Sequence, residues 1–145
     1  MRPTYSLDDC SFLRLRKLAR RITQIYDHAL APSGLSTNQF SILAHIWFLK
    51  NPTVSQLGEQ MVMDPSTVTR NLRPLADKGW ITLVVSEADR RQREARLTEA
   101  GLETLRAAVP HWKAAQSQLE ELLGEGGTAT LHGALDDVLS RLRTA

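Results

Sequence analysis

The chain has 145 residues, room for one domain with a helical appendage, and its 42% hydrophobic and 23% charged content is that of a soluble globular protein. No stretch is apolar enough to cross a bilayer, residues 1–10 lack a secretory pattern, and the single cysteine, Cys10, excludes a disulfide framework or a cysteine metal cluster, so the expected compartment is the cytoplasm. The net charge of +2 is uneven: residues 1–96 carry 14 Lys and Arg against 9 acids and residues 97–145 carry 4 against 7, so the first two thirds suit a polyanion.

The first helix is predicted from about Asp9 to Ala31. Leu15, Leu18, Ile22, Ile25, Tyr26 and Ala29 recur at three- and four-residue steps and make one apolar stripe, with Arg14, Lys17, Arg20, Arg21 and Gln24 on other faces. Pro32 and Gly34 close it. A second helix opens at Ser36, where Ser36-Thr37-Asn38-Gln39 has capping-box spacing, and its run from Phe40 to Leu49 is apolar nearly all round, as befits a central helix. Thr53-Val54-Ser55-Gln56 repeats the capping pattern and opens a short helix with Leu57 and Met61 inward. Val62 to Pro65 forms the bend. Asp64 then suits an N-cap and Pro65 a first helical position, which needs no amide donor. The helix it starts runs to Lys78 with Val68, Leu72 and Leu75 inward, carries Pro74 inside it, and ends at Gly79.

Two extended runs, 80–85 and 94–97, flank the polar stretch Ser86 to Arg93 and read as a hairpin with a long loop. A long helix begins near Thr98. Leu102, Leu105, Val109, Trp112, Gln116, Leu119 and Leu123 form a 3-4 seam along it. Its roughly 25 residues would reach about 40 Å, more than a lone domain of this size covers. Pro110 is expected to kink it. Gly124, Gly126 and Gly127 form a loop, and Leu131, Leu135, Val138, Leu139 and Leu142 build a last amphipathic helix.

Two short helices joined by a bend and followed by a hairpin is the order of a winged helix-turn-helix. The expected fold is mainly α with a small β-wing: an N-terminal dimerisation helix over 1–35, a DNA-binding lobe over 36–98, and C-terminal dimerisation helices over 99–145. At the start of the second of the short helices, Ser66, Thr67 and Thr69 offer small hydroxyls as donors to phosphates or base edges, beside the positive end of the helix dipole. One turn on, Arg70 and Arg73 have the reach for guanine or phosphate oxygens. The plain alternative is an exposed amphipathic helix.

Residues 82–98 tip that balance, because they resemble the MarR family of transcription regulators. The family pattern Asp-x-Arg, five residues, Leu-Thr stands here as Asp89-Arg90-Arg91, then Gln92 to Arg96, then Leu97-Thr98. The likeness extends to the Asp64 to Arg70 run, to Gly79-Trp80-Ile81 and to Leu35 through Phe40, and covers roughly residues 10 to 105. It implies that Arg91 enters the minor groove while Asp89 pairs with it and supports the wing. Arg90 and Arg93 are assigned to phosphate and Arg96 to a structural role. It also implies a homodimer joined through the first and the last two helices; two-fold symmetry then calls for an inverted repeat in double-stranded DNA, and a compact dimer able to block a promoter makes repression the default over activation. Half-sites would lie about one helical turn apart.

The same resemblance implies a pocket for a small aromatic carboxylate, with Arg16 or Arg20 as its partner and His45, Trp47, His111 and Trp112 as walls. The alternative is that these aromatics and histidines are packing groups. Cys10 raises a redox-sensing reading, yet the expected tyrosine positions hold Thr37 and Phe40. An enzyme finds little support. His28, His45, His111 and His132 are scattered, no phosphate loop or nucleophile motif is present, and no metal or cofactor is expected. A helical interaction module without DNA binding would share the seam but would not need an arginine-rich wing.

Overall fold

The computed structural model describes residues 4–143, so residues 1–3 and 144–145 of the predicted end regions lie outside it. It is mostly helical with one two-stranded antiparallel sheet, the fold class expected. The described residues form two compact units: those up to Ala29 together with those from Trp112 onward, and Leu30–His111.

In the first unit, a 3-10 turn at Leu7–Asp9 precedes helix α1, Ser11–Leu30. The start predicted at Asp9 therefore moves inward, because Cys10 is extended (φ −82°, ψ 109°) and interrupts the helical hydrogen bonding. The far end of the chain contributes the later part of helix α5, Glu99–Leu123, and helix α6, Gly127–Leu142. The Tyr26 hydroxyl donates to Gln116 Oε1 and links α1 to α5. Burial first, and the Glu120 carboxylate second, push that phenol above its ordinary pKa. Pro110 sits inside a single continuous helix.

The seam predicted on α5 is partly buried within the single chain, with Leu105 and Leu119 buried and Leu102, Val109, Trp112 and Gln116 half-buried. The side chains buried along it are Leu105, Ala108, Ala115 and Leu119, at steps of three, seven and four residues, whereas Leu123 is exposed. Alanine permits close helix packing, so half of the buried stripe consists of small residues that a search for large apolar ones passes over.

The second unit holds the helix-turn-helix. Helix α2, Thr37–Leu49, starts at a complete capping box: Ser36 Oγ accepts from Gln39 N at 3.2 Å and Gln39 Oε1 accepts from Ser36 N at 3.1 Å. Helix α3, Val54–Met61, repeats the device with Thr53 and Gln56. Phe40, Ile42, Leu43 and Ile46 of α2 are buried with Leu57 of α3. At roughly 1.5–3 kcal/mol for each fully buried side chain, they supply much of the stability of the lobe. The C-terminal end of α2 departs from its central role, because Trp47, Phe48 and Leu49 are all exposed.

The bend spans Val62 to Asp64. Val62 adopts φ 55°, a left-handed conformation that costs a β-branched residue energy. Gly58 faces it closely: a Cβ there would come within 2.6 Å of the Met63 carbonyl oxygen. Helix α4, Pro65–Asp77, follows with Val68, Leu72 and Leu75 buried. Gly79, at φ 75°, turns the chain into strand β1, Ile81–Val85. Strand β2, Arg93–Leu97, returns antiparallel in a register that sets Ile81 opposite Leu97 and Val85 opposite Arg93. Its inner edge is tied down by Ala95 N donating to Pro52 O at 2.9 Å and by a bridge between Thr53 and Glu94.

Candidate nucleic-acid interface

The exposed start of α4 is organised around one carboxylate. Asp64 Oδ1 accepts from Thr67 N at 2.9 Å and from the Ser66 hydroxyl at 2.5 Å, while Oδ2 accepts from the Thr67 hydroxyl at 2.8 Å. The Ser66 hydroxyl, then the Thr67 amide and hydroxyl, hold the Asp64 carboxyl far below its usual range. The Thr69 hydroxyl donates back to Pro65 O at 2.9 Å. The three hydroxyls expected as outward donors therefore spend their protons inside the helix start in the unbound chain. In the unbound chain each hydroxyl has a single proton and the nearest acceptor takes it.

A second layer braces the same turn. Arg70 Nη2 donates to Thr67 Oγ1 at 3.3 Å, Asn71 Nδ2 to Thr67 O at 2.8 Å, and Asn38 Nδ2 of α2 to Asn71 Oδ1 at 2.8 Å. Asn38 and Asn71 escaped the sequence reading, since nothing in spacing links residues 33 apart. Arg73 lies exposed one turn further along α4 and enters no ion pair among the described residues.

The wing loop is hydrogen-bonded internally. Ser86 is buried, its amide donates to Gln92 O at 2.9 Å, and Gln92 N donates to Asp89 O at 2.9 Å. Asp89 takes Arg91 in a fork: Nε to Oδ1 at 3.2 Å, Nη2 to Oδ2 at 3.3 Å, and the Arg91 amide to Oδ1 at 3.1 Å. The Arg91 side chain, first among the causes, and its amide lower the Asp89 pKa. The Arg91 side chain is 89% exposed, so this exposed pair orients the guanidinium more than it stabilises the fold. Arg90 and Arg93 are exposed and enter no ion pair among the described residues. Gln92 Oε1 accepts from Ser55 Oγ at 3.0 Å, which fastens the wing to α3. Arg96 pairs with Glu94 at 3.0 Å, and that bond, followed by one from Ser86, lowers the Glu94 pKa.

The six pocket candidates fall in both units. Arg16 and Arg20 lie exposed on one face of α1 with Ala19, Thr23 and Gln24, and Arg16 stands 5.6 Å from the Phe12 ring centre. Trp47 is 49% exposed and lines a cleft of about 610 Å³ inside the lobe with Ile46, Lys50, Leu97 and Leu102. His45 is half-buried with Nδ1 2.7 Å from Ser41 O, a contact that places its proton on Nδ1. His111 and Trp112 are half-buried on α5, on either side of the division between the units. Cys10 is half-buried, and its carbonyl accepts from Arg14 N at 3.2 Å.

A capped helix with exposed arginines beside a braced arginine finger defines a winged helix-turn-helix DNA-binding transcription regulator. The MarR family pattern matches residues 35–92. A curated relative, the organic hydroperoxide resistance transcriptional regulator of Bacillus subtilis, is 32% identical over 83 residues, 57% of this chain and 56% of that protein. The match thus spans little more than half the length of that relative. Among solved structures, the M. tuberculosis regulator MosR in complex with DNA aligns with TM-score 0.83 and 29% identity, over 94% of this chain and 98% of that one. Bordetella bronchiseptica BpsR, whose DNA binding is regulated by 6-hydroxynicotinic acid, aligns with TM-score 0.82 and 18% identity over 94% and 97%. The likeness to the MarR family thus falls on residues 35–92, and the fold is shared with the solved regulators over nearly the whole chain.

Proposed function

We propose that the protein is a homodimeric repressor that grips an inverted-repeat operator with two copies of α4 and two wings, and releases it when a small aromatic carboxylate binds. One observation carries the dimer. The helical unit leaves Phe12 (64%), Leu15 and Leu18 of α1, Leu122 (67%) of α5, and Val138, Leu139 and Leu142 of α6 exposed in the single chain. So many large apolar side chains on one unit mark an association surface, and a second copy covers them with the closed symmetry usual for such proteins. In each copy, Arg73 reads base edges from α4, with Ser66, Thr67, Thr69 and Arg70 at its start. Arg91 enters the minor groove on the Asp89 brace, and Arg90 and Arg93 hold phosphate.

The complex of MosR with DNA supports the operator reading, since that protein is similar over nearly the whole chain. The ligand reading draws on the BpsR likeness and on the two arginines of α1. No helix among the described residues is long and apolar enough to cross a membrane. Sedimentation equilibrium of the purified chain tests the dimer: twice the chain mass at micromolar concentration is expected. A monomer there ends the reading.

A further inference from the structure

We propose that Gln92 is a positioning residue for DNA binding: its bond to Ser55 ties the tip of the wing to α3 and so holds Arg91 at the minor groove. The proposal rests on the reading of Arg91 as the residue that enters that groove.

Strand pairing gives out before the tip begins. The last pair of the sheet sets Val85 opposite Arg93, and one further bond, Ser86 N to Gln92 O at 2.9 Å, closes the loop beyond it. The backbone ties between wing and helices lie nearer the base, from Ala95 N to Pro52 O and between Glu94 and Thr53. A two-stranded hairpin is marginal on its own, so ties at its base do little to fix its tip. The bond from Ser55 Oγ to Gln92 Oε1, 3.0 Å long, grips the wing further out and spans 37 positions of sequence.

Three groups of half-buried Gln92 are engaged at once. Its side-chain oxygen accepts from Ser55, its carbonyl accepts from Ser86 N, and its amide donates to Asp89 O at 2.9 Å. Asp89 in turn takes Arg91 through Nε at 3.2 Å, Nη2 at 3.3 Å and the amide at 3.1 Å. A relay thus runs from Ser55 through Gln92 and Asp89 to a guanidinium that is otherwise 89% exposed. Helix α3 is itself seated on α4, where Leu57 and Val68 are buried and a Cβ on Gly58 would lie 3.4 Å from Val68 Cγ2. The relay therefore sets Arg91 in the same frame as α4. An arginine entering a narrow groove must meet it at one height and angle, and a tip that swings loses that aim.

The test is a double-mutant cycle on DNA affinity with wild type, Ser55→Ala, Gln92→Leu and the two combined. Ser55→Thr, which keeps the hydroxyl, is the conservative variant. Thermal melts first establish that each protein is folded. One duplex is the inverted repeat that the wild-type chain selects from a randomised pool. In the other, the A·T pairs whose minor groove Arg91→Ala leaves unprotected in a hydroxyl-radical footprint become G·C, which places the guanine N2 amine in that groove. Wild type is expected to prefer the first duplex by about tenfold. Ser55→Ala and Gln92→Leu each lose about tenfold on it, since each of two wings gives up one hydrogen bond, and bind the two duplexes nearly alike. The combined variant binds no more weakly than either single one, Ser55→Thr binds as wild type does, and the bases read by α4 keep their preference throughout. Additive losses, as from two side chains that touch DNA separately, overturn the proposal, and so does a Gln92→Leu protein that keeps the wild-type preference. If wild type does not distinguish the two duplexes, the minor-groove reading of Arg91 fails, and the role of Gln92 with it.

Discussion

Gly101→Ala is the sharpest single perturbation of the joint between the wing and α5. A Cβ at residue 101 would lie 1.9 Å from the Trp80 carbonyl oxygen and 2.8 Å from its carbon, closer than side chains and backbone ever approach. That oxygen is not free to swing away, because it accepts from Thr98 N at 3.0 Å. Thr98 in turn accepts from Gly101 N at 3.0 Å and donates to Gly79 O at 2.6 Å. Relief requires the first turn of α5 to retreat by more than an ångström, which breaks the Thr98 amide bond and loosens the cap. Two lost hydrogen bonds cost about 2 kcal/mol, and displaced packing around buried Leu105 adds about 1–2 more. The helix preference for alanine returns less than about 1 kcal/mol, so the net loss is about 2–4 kcal/mol. Urea unfolding at fixed protein concentration measures it. Gly133→Ala, on α6 with nothing within 4 Å of its would-be Cβ, serves as control. A Gly101→Ala protein within about 0.5 kcal/mol of wild type would refute the reasoning.

Val62→Gly, which relieves the left-handed valine, should stabilise the chain by about 0.5–1 kcal/mol in the same assay. The Asp64 carboxyl titrates near 3.8 when unfolded and lower when folded, so its contribution is complete above that value and fades as the pH falls below it. The stability gap between wild type and Asp64→Asn, followed by urea midpoints from neutral pH to about pH 3, should therefore narrow in acid; a constant gap contradicts the assignment. Arg73→Ala should flatten base preference at one position of each half-site. Arg91→Ala should instead weaken binding to every duplex and reduce the salt slope by about 1, as read from affinities across a salt series. The same uniform loss for both mutants would remove the division of labour between helix and wing.

Features governed by neighbours in sequence were legible before any coordinates. Both capping boxes, the Asp64–Pro65 start of α4 and the left-handed Gly79 depend on residues within four positions, and the structure holds them as read. What escaped depends on contacts between distant residues or on small side chains. The buried stripe of α5 runs through Ala108 and Ala115, which carry almost no hydropathy signal. Trp47 looked like core or pocket wall by type; it is not core, lying half exposed on a cleft at the end of α2, where the chain turns through left-handed Lys50 and Asn51. Thr67 was legible as part of the start of α4, but the direction of its hydroxyl proton was not. That direction follows from the position of the Asp64 carboxylate, a matter of rotamers rather than residue type. Gly101 showed no signal, because its need for a bare Cα arises only when Trp80, 21 positions earlier, folds against it.

The central claim is that two copies of α4 and its wing act as one rigid pair. Its most direct test compares affinities for the selected inverted repeat, for a single half-site, and for the repeat with half a helical turn, about 5 base pairs, inserted at its centre. Two chains per duplex are expected on the intact repeat, with a loss of at least about a hundredfold on the other two. Equal affinity for all three duplexes would contradict it.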